Sequence, residues 1–367
     1  MSWETPEAFW NGRRVFLTGH TGFKGSWLAH WLLMLGAEVR GFALAPDSVQ
    51  VPDGFRSLFE ELDLNARLDH IVGDIRNEEA LKEALLAFNP EIVLHLAAQP
   101  LVRASYQNPV ETYATNVMGT ANLLNACRSV AGLRSIVVVS SDKCYENREQ
   151  IWAYRETDPM GGHDPYSNSK GCTELVTAAF RASYFPAERA GEHGVSINSA
   201  RAGNVIGGGD WSEDRLIPDA MRSMLAGTPL QIRNPRAVRP WQHVLEPLQG
   251  YLTLARKGAS DPSFFSKGWN FGPVNEETLS VGELAEHLAA RLHGKFSWQE
   301  VTDKGPHEAQ LLALDSTAAR ALLGWKPALS LQDMLDFTAD WYSCRRPEQR
   351  AEMVSGQIIR YTQSLMQ

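Results

Sequence analysis

The chain is poor in cysteine and has no long apolar run, and each shortage removes a class of function. Its 367 residues include only four cysteines, Cys127, Cys144, Cys172 and Cys344, and they are widely spaced. They form no CxxC or other metal-ligand pattern, so no metal is expected. Reduced thiols in a cytoplasmic protein are expected in place of a disulfide framework. No apolar stretch reaches the ~18 residues of a membrane span. The opening residues, Met1-Ser2-Trp3-Glu4-Thr5-Pro6, are polar and acidic, unlike a secretory signal. Basic charge is short as well. The formal net charge is −8, which argues against the positive footprint of a nucleic-acid binder. An anionic ligand must be met by local Arg and Lys. Internal repeats and low-complexity segments are also missing.

What is present is enough for a sizeable core, with 44% hydrophobic and 21% charged residues. Short apolar runs at Arg14–Thr18, Glu38–Leu44, His70–Asp74, Glu91–Leu96, Ser135–Ser140 and Val195–Ala200 read as strands. Between them, Gly25–Leu35, Glu79–Phe88, Pro109–Cys127 and Leu175–Ser183 carry apolar residues at helical spacing. Continuous apolar strands alternating with helices predict an α/β fold, a doubly wound Rossmann-type parallel sheet covered on both faces. After Arg201, glycines and prolines break the pattern, and helices return at Val281–Leu292 and Leu331–Tyr342. The expected organisation is a dinucleotide-binding domain over 1–200, a smaller C-terminal α/β lobe for substrate over 201–345, with the chain free to cross between them, and a polar tail over 346–367. That tail reads as a solvated helix or a partner contact.

Gly19-His20-Thr21-Gly22-Phe23-Lys24-Gly25 lies between the first strand and first helix. Glycines there let backbone approach a diphosphate, and the helix N-terminus offers N–H donors. The spacing is GxxGxxG, and its context points to NAD. His20 and Lys24 are unusual in such a turn; each can reach a phosphate or be solvated. The second strand ends in Ala43 where a ribose-binding carboxylate is expected, with Asp47 a few residues on. Without that carboxylate the main repulsion against a 2′-phosphate is gone, so NADP is not excluded. Asp74 and Ile75 can bracket the adenine. Ala97, Ala98 and Gln99 suit close passage of a cofactor, or are plain packing.

Tyr166-Ser167-Asn168-Ser169-Lys170 puts Tyr and Lys at i and i+4 on one helix face. A cation beside a phenol is expected to lower its pKa towards neutrality and make it a usable base. Ser140-Ser141-Asp142-Lys143-Cys144-Tyr145 follows the fifth strand, and a serine there can polarise the substrate oxygen. Gln99 and Arg103 can contact a sugar.

These residues together resemble the extended short-chain dehydrogenase/reductase family from Gly19 to about Trp325. Longer segments narrow the resemblance: Thr18–Ser26, Ser141–Tyr145, Asp164–Cys172, Arg201–Trp211, Arg239–Val244, Trp269–Pro273 and Pro306–Glu308. They are similar to the nucleotide-sugar 4,6-dehydratase branch, in its CDP-hexose group. The resemblance implies NAD, Asn116 among the cofactor contacts, and Asn204, Arg215, Arg233, Arg239 and His307 at the substrate diphosphate. It implies that Tyr166 takes the 4-hydroxyl proton and Asp142 protonates the 6-hydroxyl. The wider branch has Thr-Asp-Glu where this chain has Ser141-Asp142-Lys143. Lys143 is therefore a C5 base, an electrostatic stabiliser of the C5 enolate, or a plain partner of Asp142. Alternatives are a dTDP- or GDP-hexose dehydratase, a 4-epimerase, and a silent dinucleotide-binding regulator. An epimerase has no use for Asp142 and Lys143, and a regulator tends to lose one of Ser141, Tyr166 and Lys170. A homodimer or homotetramer through a helix bundle is also implied.

Overall fold

The structure, a computed structural model, describes residues 6–46, 51–273, 279–292, 297–301 and 311–366. Seven strands form the central sheet: β1 (Arg14–Thr18), β2 (Glu38–Ala43), β3 (Asp69–Val72), β4 (Ile92–His95), β5 (Ser135–Val139), β6 (Ser196–Ala202) and β7 (Gly268–Phe271). Their spatial order is 7-6-5-4-1-2-3, and every pairing is parallel. Register runs Val15↔Ile92 between β1 and β4 and Ile92↔Ser135 between β4 and β5. Residues of β4, β5 and β6 are buried throughout, because helices cover both faces of a parallel sheet. The strand order reverses between β1 and β4, the place where doubly wound folds open a ligand crevice at their carboxyl ends.

Local chemistry sets the helices. The Phe23–Met34 helix is buried continuously from Gly25 to Leu32. Gly36, at φ 80°, lets the chain reverse out of it. Asn77 caps Glu78–Phe88 by accepting from the Ala80 N–H. Asp164 caps Pro165–Tyr184 by accepting from the Ser167 N–H at 2.9 Å, with Pro165 in the first turn. The reactive tyrosine is thus held in a well-anchored first turn. The stretch expected as one long helix over 109–127 is helical throughout, but Ala114–Met118 within it is a wider π turn.

After Val205 the chain builds three two-stranded pairs, Val205–Ile206 with Gln242–His243, Val238–Arg239 with Leu279–Ser280, and Leu230–Ile232 with Trp298–Glu300. Between them the chain returns to add β7 to the first sheet. The segment after Arg345, read as a polar tail, is neither solvated nor separate. It forms the Pro347–Ser364 helix, and its Arg350, Val354, Gln357, Ile358 and Tyr361 are buried. Arg350 and Glu61, both at 0% side-chain exposure, make a bidentate ion pair, with Nε 2.7 Å from Oε2. Tyr361 donates to the buried Glu246 carboxylate at 2.7 Å. The polar residues that made this stretch look like a tail supply its buried pairs. Among the described residues, no helix is long and apolar enough to cross a membrane.

Candidate active site

A cleft of ≈ 960 Å³ runs between the carboxyl ends of the strands and the second lobe. Its floor on one side is the glycine turn. A Cβ on Gly25 would lie 2.0 Å from the Gly19 carbonyl oxygen, and one on Gly19, at φ 76°, would lie 2.7 Å from the Ala97 nitrogen. Only glycine fits at both positions. Gly22 begins the Phe23–Met34 helix without any side-chain cap, so its first N–H groups are left for a ligand. An open helix N-terminus behind a glycine cradle fits the diphosphate of a dinucleotide. Thr21, Gly22, Phe23, Lys24, Ala43, Asp74, Ile75, Ala97, Ala98 and Gln99 line the same cleft. Asp47 lies outside the described residues.

Three expectations change here. The His20 side chain neither reaches the cleft nor meets solvent. It is fully buried beneath the turn, 2.6 Å from His70 Nδ1 and edge-on to Phe59, where Gly41 leaves room for its ring. Burial pushes its pKa down to about 3, so it is neutral. Asn116 is not in the cleft either. Its carboxamide oxygen accepts from the Gln99 N–H at 2.8 Å, and its amide donates to Ser169 at 2.9 Å. Asn116 therefore ties the loop after β4 to the reactive helix. Gln99 lines the cleft, but its own amide group is engaged with Leu101 and Thr112.

The reactive set gathers at the end of β5. Ser141, Asp142, Lys143, Tyr166 and Lys170 all line the cleft. Ser141 donates to Asp142 Oδ1 at 2.8 Å and accepts from the Lys143 N–H at 3.2 Å. Lys143 Nζ stands 6.0 Å from the centre of the Tyr166 ring. Asp142 is 2% exposed, and its Oδ2 has no hydrogen-bond partner. Burial raises the Tyr166 pKa to about 12 against the pull of Ser141 and Arg215. The expected fall towards neutrality does not occur, because desolvation of the phenolate outweighs the pull of Arg215, and Asp142 adds to the rise. Burial also pulls Lys170 down to about 8, although Glu174 opposes it. Lys24 falls to about 7, by burial first and then by Arg215 and Lys170.

Two features behind the site were not singled out in the sequence. Glu174, one turn after Lys170, accepts from Ser140, from Ser199 at 2.6 Å and from Arg201 at 2.8 Å. Arg201 also donates to the Tyr145 hydroxyl at 2.6 Å, so this buried group fastens both ends of the Ser141–Tyr145 loop. Gly203 lies directly against the Asp142 carboxylate; a Cβ there would sit 1.9 Å from Oδ2. The Lys170 i+4 spacing was the available signal for Glu174, and the Arg201–Trp211 segment the one for Gly203.

The expected substrate residues Arg103, Asn204, Arg215, Arg233 and Arg239 line the cleft. Asn204 has φ 49°, and its carbonyl accepts from Gln242. Arg215 pairs with the buried Asp210 at 2.9 Å and faces Tyr166. His307 lies outside the described residues.

A doubly wound sheet with serine, tyrosine and lysine at the end of its fifth strand is the architecture of the extended short-chain dehydrogenase/reductases. The family described as GDP-mannose 4,6 dehydratase matches residues 16–338, and the chain belongs to that family. It is 51% identical over 334 residues to the CDP-glucose 4,6-dehydratase of Salmonella typhimurium, covering 91% of each chain. It is 27% identical to the dTDP-glucose 4,6-dehydratase of Xanthomonas campestris pv. campestris, over 89% of this chain and 92% of the relative. Among solved structures, it resembles the dTDP-glucose 4,6-dehydratase of Streptomyces venezuelae with NAD and TYD bound. The TM-score is 0.75 and the identity 25%, over 90% of this chain and 97% of the other.

Proposed function

We propose that the protein is a hydro-lyase that converts CDP-glucose into CDP-4-keto-6-deoxyglucose. The observation that carries this reading is the buried Asp142 beside Ser141, in the same cleft as Tyr166 and Lys170. Such a site has an acid ready for elimination as well as a redox pair. The 51% identity to a CDP-glucose 4,6-dehydratase supports the choice of base and sugar.

Tyr166 removes the proton from the sugar 4-hydroxyl, with Ser141 donating to that oxygen. NAD, held at the glycine turn, supplies the hydride acceptor for C4 and the donor for C6. The 4-ketone acidifies the C5–H bond. Lys143 serves the C5 proton, while Asp142 protonates the 6-hydroxyl so that water leaves. Lys170 would hold the ribose of a bound nicotinamide cofactor, and because that cofactor would be regenerated each turn no outside reductant would be consumed. Arg103, first read as a sugar contact, joins Asn204, Arg233 and Arg239 at the nucleotide diphosphate because it shares Asp214 with Arg233, whereas Arg215 is held by Asp210. The protein works in the cytoplasm and assembles as a homo-oligomer. The Pro109–Cys127 and Pro165–Tyr184 helices form the contact, where Val110 is 81%, Met118 56% and Leu175 60% exposed.

Purified protein incubated with CDP-, dTDP- and GDP-hexoses tests this. Keto-sugar absorbance in alkali should rise with CDP-glucose, and absence of product from it refutes the reading. Loss of solvent deuterium uptake at C5 in Lys143→Met would place Lys143 in that step; unchanged exchange removes it.

A further inference from the structure

Asp214 joins the two walls of the cleft. Its Oδ1 lies 3.3 Å from Arg103 Nη1 and 3.3 Å from Arg233 Nη1. Arg103 belongs to the Val102–Gln107 helix after β4, on the dinucleotide side. Asp214 and Arg233 belong to the second lobe. All three line the cleft, with side-chain exposures of 40%, 33% and 21% for Arg103, Asp214 and Arg233. One carboxylate oxygen therefore holds two guanidinium groups that come from opposite sides.

We infer that Asp214 is an internal competitor for the substrate diphosphate. A carboxylate and a phosphate both offer arginine anionic acceptor oxygens; Asp214 meets both guanidinium groups with one oxygen, and the diphosphate offers more charge and more acceptors. A ligand that needs Arg103 and Arg233 must first take them from Asp214. The neighbouring Arg215 is outside this exchange, because it is held by Asp210 at 2.9 Å. Asp214 has φ 57°, a left-handed conformation that non-glycine residues avoid. That conformation sits in the cleft, where it aims the carboxylate at both arginines. The consequence is an affinity set below what the arginines alone would give, which eases release of a product that keeps the same nucleotide diphosphate. This inference rests on the nucleotide-sugar reading.

The test is calorimetric binding of CDP and of cytidine to the full-length protein. Asp214→Asn keeps the shape and tolerates the backbone; Asp214→Gly is a second variant that φ 57° favours. Each exposed pair is worth up to roughly fivefold in binding, so CDP should bind about three- to tenfold tighter to either variant. Cytidine, which has no phosphate, should bind as before. In an Arg103→Ala background the gain should shrink. A structural role would move affinity the other way, because damage to the loop weakens binding. Unchanged or weaker CDP binding in both variants overturns the inference, as does equal tightening of cytidine. Wild-type protein that binds no CDP at all removes the nucleotide-sugar reading, and the inference with it.

Discussion

Gly203 offers the sharpest test of how Asp142 works. Adding one methyl group there, Gly203→Ala, places a carbon 1.9 Å from Asp142 Oδ2, 2.1 Å from Cγ and 2.5 Å from Oδ1. Carbon contacts are comfortable near 3.5 Å, so the carboxylate must retreat by about 1.5 Å. The retreat breaks the 2.8 Å bond from Ser141. A displacement of that size costs about 10²-fold in the step the group serves, while overpacking costs the fold about 1–3 kcal/mol. Tyr166 and Lys170 are untouched, so oxidation at C4 should outlast elimination. The assay is a timed quench with borodeuteride on CDP-glucose reactions. Deuterium should accumulate at C4 of sugars that keep their 6-hydroxyl, while keto-deoxy product falls about 10²-fold. Asp142→Asn should produce the same partition without any clash. A folded Gly203→Ala protein with kcat within about threefold of wild type, well short of the expected loss, would refute the reasoning.

Tyr166→Phe should lower kcat/KM by about 10²–10⁴-fold, the usual worth of a positioned base, with CDP binding retained; steady-state kinetics and calorimetry check both. Acid should destabilise the protein through His95 and His243, each held by burial at about 3 against an ordinary 6.5. The unfolded chain binds a proton below pH 6.5 and the folded chain does not, so stability is lost as pH falls from about 6.5 towards 3. The slope is up to about 1.4 kcal/mol per pH unit for each. Melting temperatures from pH 7.5 to 5 should therefore fall, and less steeply in His95→Gln. Arg350→Met leaves the buried Glu61 carboxyl group without its ion-pair partner, and denaturant unfolding should show a loss of about 3–5 kcal/mol.

Strands β1, β4, β5 and β6 are legible as short apolar or buried runs, and β2 and β3 by their place between turn and helix signals. β7 is not, since it carries only Gly268-Trp269-Asn270-Phe271. Its Asn270 is buried because Tyr145 donates to it at 2.7 Å and it donates to the Tyr154 carbonyl at 2.9 Å. Those partners are more than a hundred positions away, beyond any local pattern. Most strands of the second lobe are two residues long, too short for a period to register. In the site, Ser141, Tyr166 and Lys170 were readable because their spacing places them. Glu174 was not singled out, since Arg201 reaches it from another strand. The same limit hid the role of Asn116, expected at the cofactor, whose partners Gln99 and Ser169 lie on separate elements. The downward shift expected for Tyr166 failed because a motif shows the neighbouring cation but not the depth of burial.

The ion pair between Glu61 and Arg350 joins residues 289 positions apart. During synthesis, Glu61 leaves the ribosome long before its partner exists. At about 5–20 residues per second that interval lasts roughly 15–60 s. Throughout it, the flank formed by Phe55, Phe59 and Trp31, later covered by the last helices, stays open to solvent. A slow codon between Glu61 and Arg350 therefore prolongs an aggregation-prone state, and loss of Arg350 makes it permanent. Chaperone demand for this protein should track how long translation takes to reach Arg350.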